Sequence, residues 1–215
     1  MPDFELEDSI GKLCVGIDEA GRGPWAGPVA AGAVIILDRN LNPELLNGLD
    51  DSKKLSAKKR EKLYNLLFEE EKAGKLCVGI GLASAKEIDE MNILQATFLA
   101  MKRAVENLKV KPEFALVDGN QKPKNLPCGV QTVVKGDGKS MSVAAASVAA
   151  KVYRDRLMAE LATVYPYYGF EKNAGYGTAL HIQGLKEHGA TPEHRFSYRP
   201  VREIAAERQK AGQNS

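Results

Sequence analysis

The chain has 215 residues, 44% of them hydrophobic and 27% charged, an ordinary globular balance rather than that of a disordered or membrane protein. No run of 18 apolar residues is present, so no transmembrane helix is expected. A formal charge of +2 permits nucleic-acid binding through a local patch without demanding it.

The opening MPDFELEDSIG is acidic and lacks the basic-then-apolar order of a secretory signal, which argues for the cytoplasm. KLCVGID (12–18) reads as a strand, followed by the turn-rich GRGPWAGP and a second strand, VAAGAVII (29–36). Residues 37–55 look like a long connection. Ser56 is placed to cap a helix over 57–73 that buries Leu63, Leu66 and Leu67 and stops at Gly74. LCVGIGLA (76–83) suits a central strand. Ser84 and Glu87 have capping-box spacing for a short helix. The recurrence of Leu94, Phe98, Met101, Val105 and Leu108 then marks an amphipathic helix over 91–108.

Two further strands follow, EFALVDG (113–119), carrying Asp118, and GVQTVVKGD (129–137), ending near Asp137. The alanine-rich segment from Ser140 to about Thr163 reads as one long helix, its small residues suited to close packing on a sheet. Helices over about 178–188 and 200–210 complete the chain, with 211–215 as a frayed tail. The expected class is α/β, a mixed sheet flanked by helices with a helical C-terminal region. No repeat or linker divides it, so a single domain is expected.

Cys14, Cys77 and Cys128 are too scattered for a disulfide framework or a metal knuckle, and the first two sit in apolar runs as small core residues. His181, His188 and His194 have neither cysteine partners nor an H-E-x-x-H arrangement, which argues against zinc.

The chemistry-bearing pattern is acidic. Asp18 and Glu19 end the first strand, and taken alone such a pair is as readily a solvated turn as a site. Asp118 and Asp137 follow two more apolar runs. In open α/β sheets the carboxyl ends of strands line the binding crevice, so the four carboxylates could converge there. Carboxylates held that close repel one another unless a cation neutralises them. Hard oxygen donors suit Mg²⁺ or Mn²⁺, and a pair of such ions can serve both the entering and the leaving oxygen at a phosphate.

GRGPWAG (21–27) is neither G-x-G-x-x-G nor a Walker loop. Its glycines would let backbone amides approach a ligand, with Arg22 adding charge; a plain tight turn is the alternative. DSKKLSAKKREK (51–62), with six basic residues against two acidic, is either a wet helix face or a receiver of phosphate.

At this point the sequence resembles the bacterial ribonuclease HII family, also called type 2 ribonuclease H. The matching pieces are GIDEAGRGPWAGPV (16–29), DDSKKLS (50–56), LVDGN (116–120), VVKGD (133–137), SVAAASVAAKVYRDR (142–156) and NAGYGTALHIQGLKEHGATPEHR (173–195). They run in the family's order across nearly the whole chain.

The resemblance implies a ribonuclease H-like fold, with a core over about 1–163 and a helical extension over about 164–210. It implies an endonuclease that cleaves RNA in RNA–DNA hybrids and cuts 5′ of single ribonucleotides in duplex DNA, leaving a 3′-hydroxyl and a 5′-phosphate. Asp18, Glu19, Asp118 and Asp137 would be the catalytic, metal-binding carboxylates, with Mg²⁺ or Mn²⁺ as cofactor.

Gly21, Arg22 and Gly23 would grip the ribonucleotide around its 2′-hydroxyl, the group that distinguishes RNA from DNA. Tyr176 would stack on the adjoining deoxyribose. Lys53, Lys151 and Arg195 are candidate phosphate contacts, and Ser140 and Ser147 candidate polar contacts. Asp155 stands roughly 20 Å along the long helix from its start, so it is read as an ion-pair partner of Arg154 or Lys151 rather than a fourth ligand. The expected partners are RNA–DNA hybrid and ribonucleotide-containing duplex DNA, with no membrane and no obligate protein partner.

Overall fold

The computed structural model describes residues 1–213. In chain order the elements are α1 (Glu5–Ile10), β1 (Cys14–Ala20), β2 (Val29–Ile36), α2 (Pro43–Gly48), α3 (Ala57–Lys72), β3 (Leu76–Ala83), α4 (Ala85–Met91), α5 (Ile93–Glu106), β4 (Phe114–Asp118), β5 (Gly129–Val133), α6 (Met141–Val164), α7 (Phe170–Asn173), α8 (Ala179–His188) and α9 (Arg199–Gln213). The tail expected over 211–215 is helical backbone as far as Gln213, and its last two residues lie outside the described residues.

The five strands form one mixed sheet in the order β3-β2-β1-β4-β5. β1 pairs antiparallel with β2 and parallel with β4, and β4 pairs parallel with β5. The chain divides into two compact units. The first comprises Met1–Ala20, Ala30–Leu82 and Thr97–Val152, and the second Gly21–Val29, Ala83–Ala96 and the chain from Tyr153 onward.

In the first unit, glycines let α6 lie directly on the sheet. Gly16 and Asp18 share one face of β1, and Gly32 of β2 is the cross-strand partner of Asp18. A Cβ on Gly16 would stand 2.2 Å from the Ser142 carbonyl carbon, and one on Gly32 would stand 2.4 Å from the Ala146 oxygen. Ala144, Ala145, Ala146, Ala149 and Ala150 are all fully buried. The small residues of the long helix thus meet the glycines of the strands, bringing helix backbone against strand backbone. The same device recurs on β3, where Cβ atoms on Gly79 and Gly81 would meet the Ala104 and Ala100 carbonyls at 2.0 and 2.1 Å.

Local signals account for most helix starts. The Ser56 side chain accepts from the Lys59 N–H, and Ser84 and Glu87 complete a reciprocal capping box. The helix expected over 91–108 divides at Asn92, whose backbone is left-handed (φ 71°) and whose side chain caps α5. Its buried stripe is Ala96, Ala100, Met101, Ala104 and Val105, while Leu94, Phe98 and Leu108 are only partly covered. Leu66, expected in the core, is likewise half-buried, and Tyr64 is buried beside Leu63 and Leu67.

The second unit has its own core, with Ala26, Met158, Tyr168, Phe170 and Leu185 buried against Trp25, Leu161 and Ile204. The three cysteines are free thiols, with Cys14 and Cys77 buried. Among the described residues no helix is long and apolar enough to cross a membrane.

Candidate active site

The parallel register of β1 and β4 aligns Ile17 with Val117, which puts Asp18 and Asp118 at one level at the carboxyl ends of adjacent strands. Asp18 is 5% exposed and accepts a 2.7 Å hydrogen bond from the Glu19 N–H. Burial, together with the negative charges of Glu19 and Asp118, raises its pKa well above the usual carboxylate value. Ser147, buried on α6, donates to the Ser52 hydroxyl at 2.8 Å, and its hydrogen bond with Asp18 opposes the rise. Ser140 is turned elsewhere, its hydroxyl donating to Glu7 at 2.7 Å.

Asp137 does not end a strand. β5 stops at Val133 and Asp137 lies in a 3₁₀ turn, Gly136–Gly138. The physical reason is local: Lys135 is left-handed (φ 55°), and the Gly136 N–H donates to Asp118 Oδ1 at 2.6 Å, which ties the turn to the end of β4. Asp137 is 7% exposed, and its pKa is pushed up to about 6 by burial, by the charges of Asp118 and Asp51, and by a hydrogen bond with Asp51.

The neighbouring turn contributes Lys53. Burial opposes its charge, but the fields of Asp18, Asp51, Asp137 and Asp118 outweigh that and hold its pKa above the ordinary lysine value. Arg60 pins this turn by donating to the Ser52 and Leu55 carbonyls at 3.0 and 2.6 Å, so the basic run is in part an anchor rather than a wet face. A cleft of about 410 Å³ is lined by Asp51, Lys53, Asp118, Lys135, Asp137 and Lys139. Lys151 is half-buried, four residues beyond Ser147 on α6 and hence on the same helix face.

The donor set fits a hard divalent cation. Asp18 and Asp137 hold protons more tightly than free carboxylates because they are buried and because negative charge is concentrated around them. A bound Mg²⁺ or Mn²⁺ reverses that balance. Among the described residues, no three His, Cys, Asp or Glu side chains form a group that would hold a metal ion by themselves. Mg²⁺ does not require one, since it keeps several waters and binds through one or two carboxylates plus phosphate oxygens. Asp18, Glu19, Asp118 and Asp137 are the residues that would hold it.

The second unit contains the glycine loop. Two arginines organise it from within. Arg154 donates to the carbonyls of Pro28, Ala174 and Ala26 at 2.9, 2.9 and 3.1 Å. Burial lowers its pKa to about 10, with the charge of Arg195 adding to the effect.

Arg195 corrects an expectation. It is fully buried rather than presented to phosphate, and its guanidinium donates to the carbonyls of Gly27 (3.0 and 2.9 Å), Arg22 (3.0 Å) and Gly21 (2.6 Å). Tyr198 donates its hydroxyl to the same Arg22 carbonyl. Asp89 accepts from the N–H groups of Phe196 and Ser197, both at 2.8 Å, and so fixes the turn that follows Arg195.

The Arg22 side chain is exposed above this framework. Gly21 (φ +94°) cannot carry a side chain, because a Cβ would lie 1.9 Å from Arg154 Nε. Tyr176 is 51% exposed, and its Cε1 lies 3.3 Å from where a Cβ on Gly23 would be, so ring and loop are neighbours. The structure therefore brings Gly21, Arg22, Gly23 and Tyr176 together, and separately Asp18, Glu19, Asp118, Asp137 and Lys53.

Sequence reasoning missed Asp51 and Arg154. Asp51 was hidden in a charge run, and Arg154 was read only as a partner for Asp155.

A five-stranded mixed sheet with flanking helices and clustered carboxylates at the ends of parallel strands is the architecture of a ribonuclease H-fold nuclease. The family model for ribonuclease HII matches residues 15–201, and the chain belongs to that family. It is 55% identical over 206 residues to the ribonuclease HII of Rhodospirillum rubrum, covering 96% of this chain and 93% of that one. Its fold is similar to the crystal structure of ribonuclease H2 from Pyrococcus horikoshii, with TM-score 0.73 and 31% identity over 92% of this chain and 99% of that one. It also shares its fold with Bst-RNase HIII in complex with Mn²⁺, with TM-score 0.71 and 17% identity over 92% of this chain and 70% of that one.

The chain is accordingly a type 2 ribonuclease H, an endonuclease acting on the RNA of RNA–DNA hybrids, and the family depends on a divalent metal.

Proposed function

We propose that the protein cuts duplex DNA on the 5′ side of a single embedded ribonucleotide, as well as long RNA–DNA hybrids, leaving a 3′-hydroxyl and a 5′-phosphate. The observation that carries this reading is the carboxylates at the ends of β1 and β4, with Asp18 buried and Asp118 half-buried; a glycine loop with the exposed Tyr176 beside it gives further support.

In this reading Asp18, Glu19, Asp118 and Asp137 hold two divalent ions, Mg²⁺ or Mn²⁺. When bound, the ions supply positive charge for the attacking water and for the leaving oxygen. Asp18 and Asp118, fixed by strand register, set the position of the scissile phosphate. Asp137, tied to Asp118 through the Gly136 N–H, completes the side facing Lys53, whose ammonium steadies phosphate. Lys151 is a further phosphate contact.

Gly21 and Gly23 leave backbone amides open to a 2′-hydroxyl, and Arg22 adds a charged donor. Tyr176 stacks on the sugar of the next deoxynucleotide, so the loop reads the RNA-to-DNA step. The enzyme acts in the cytoplasm on ribonucleotide-containing DNA, as one catalytic domain, without an obligate protein partner.

The test is cleavage of labelled duplex DNA bearing one ribonucleotide, with Mg²⁺ and separately Mn²⁺, beside all-DNA duplex and Asp18→Asn. One cut 5′ of the ribonucleotide, absent from both controls, is expected. Cutting confined to long hybrids would overturn the single-ribonucleotide reading.

A further inference from the structure

Behind Tyr176 lies a polar chain that the chemistry above does not use. His181 and His194 are buried to 0% and 1% exposure among Trp25, Tyr168 and Phe170. Their Nε2 atoms face each other at 3.0 Å. His194 Nδ1 lies 2.9 Å from the Thr191 backbone nitrogen, and His181 Nδ1 lies 3.0 Å from the Tyr176 carbonyl oxygen.

The direction of every bond in this chain follows from its two ends. A backbone N–H can only donate, so His194 Nδ1 is an acceptor and the His194 proton is on Nε2. That proton points at His181 Nε2, which must accept and therefore carries none. The His181 proton is on Nδ1, where a carbonyl oxygen, which can only accept, receives it. One arrangement satisfies all four groups, and it requires both rings to be neutral. Burial lowers the pKa of both, and the neighbouring ring lowers His194 further, to about 3. A proton added to either ring would place two N–H groups head to head.

The chain terminates at a residue with little other freedom. Gly175 (φ +84°) abuts the Ala26 carbonyl, and Gly177 abuts the Trp25 indole, with Cβ clearances of 2.4 and 2.3 Å. The Gly175 carbonyl accepts from the Trp25 N–H at 2.8 Å. The backbone on both sides of Tyr176 is held, its carbonyl is drawn inward by His181, and its ring is left outside against Gly23.

We propose that His181 and His194 are positioning residues, a neutral imidazole relay that fixes the Tyr176 peptide and so aims the Tyr176 ring at the Gly21–Gly23 loop. The inference rests on the reading of Tyr176 as a sugar-stacking residue, and it predicts that neither histidine touches nucleic acid.

Two measurements test it. In ¹⁵N-labelled wild-type protein near neutral pH, long-range ¹H–¹⁵N spectra should show His181 protonated at Nδ1 and His194 at Nε2, both neutral, with half-exposed His188 as internal comparison. His181 protonated at Nε2, or either buried ring charged, would overturn the relay whatever the kinetics.

The second measurement is kinetic. His181→Phe, which keeps a ring and removes the donor, should lower kcat/KM on single-ribonucleotide duplex about 10-fold, the effect of roughly one hydrogen bond. His181→Asn, whose amide can donate to the same carbonyl, should recover most of it. In a Tyr176→Ala background His181→Phe should cost nothing further. An equal loss with and without Tyr176 would show general damage and overturn the proposal. Expected tautomers together with an inert Tyr176→Ala would instead overturn the stacking reading and leave the relay standing.

Discussion

The acidic end of the sheet and the glycine loop solve opposite electrostatic problems. At the sheet end, burial and the gathering of like charges together raise the pKa values of Asp18 and Asp137. In the loop, two buried guanidinium groups are surrounded by carbonyl oxygens of residues 21–28 and Ala174, and the buried histidines are neutral. In the proposed reading, the first region takes up a divalent cation from outside. The second carries its cations inside and is complete without one. A loop that must present amides at fixed places needs every polar group behind it satisfied.

The sharpest break in this contrast is Asp118→Asn. It should reduce cleavage on the order of 10³-fold, the scale expected for removing one charge from a preorganised site. It should also raise the thermal midpoint of the metal-free protein by relieving repulsion on Asp18. Loss of activity with a lower midpoint would refute that repulsion.

Arg195→Ala asks the converse. It would strand the Gly21 and Gly27 carbonyls, leaving that of Arg22 to Tyr198 alone, and should cost about 3 kcal/mol in denaturant unfolding. A cost below about 1 kcal/mol would mean that the loop does not depend on its internal cation.

The two regions should also respond oppositely to pH. Asp137 has a folded pKa above its unfolded value, so the native state binds more protons from about pH 4 to 6. The stability it contributes is present at low pH and is lost as pH rises through about 6. His194, with a folded pKa of about 3 against 6.5, behaves in reverse: its contribution is present above pH 6.5 and is lost as pH falls. Thermal midpoints of Asp137→Asn and His194→Phe across pH 4–8 should separate the two slopes, each on the order of 1 kcal/mol after solvent screening. Adding Mg²⁺ should flatten the first slope and leave the second unchanged.

The smallest effect is expected where space is open. Gly138→Ala meets nothing within 4 Å and should shift stability by less than about 0.5 kcal/mol. Gly16→Ala, beneath α6 at 2.2 Å, should cost about 1–3 kcal/mol.

The sheet end was the more legible region in the sequence. Asp18, Glu19 and Asp118 follow apolar runs, and hydrophobic patterning locates strand ends well. Asp137 was found but set on a strand, because nothing in VVKGD announces a left-handed lysine. The helix α2 was missed inside the stretch read as a connection, although Asn42 caps it and Pro43 opens it. The two turns of α1 were missed because a short helix with no buried residues has little periodicity to show.

The interior of the loop was illegible for a different reason. Arg154 and Arg195 are held by main-chain carbonyls, and a carbonyl partner leaves no residue type in the sequence to pair with. The same applies to His181, whose partner is the backbone of Tyr176.

The register that aligns β1 with β4 also dictates a timetable for the nascent chain. β1 finds β2 within a few residues, but its other neighbour arrives about 100 residues later, as Asp118 follows Asp18. At about 5–20 residues per second, Asp18 spends roughly 5–20 s on an incomplete sheet, without the carboxylate that later opposes it. The β1–β2 hairpin is therefore free to form while its acid is unchallenged. Only once β4 and the Lys135–Asp137 turn have emerged does the chain hold all the carboxylates proposed to bind Mg²⁺.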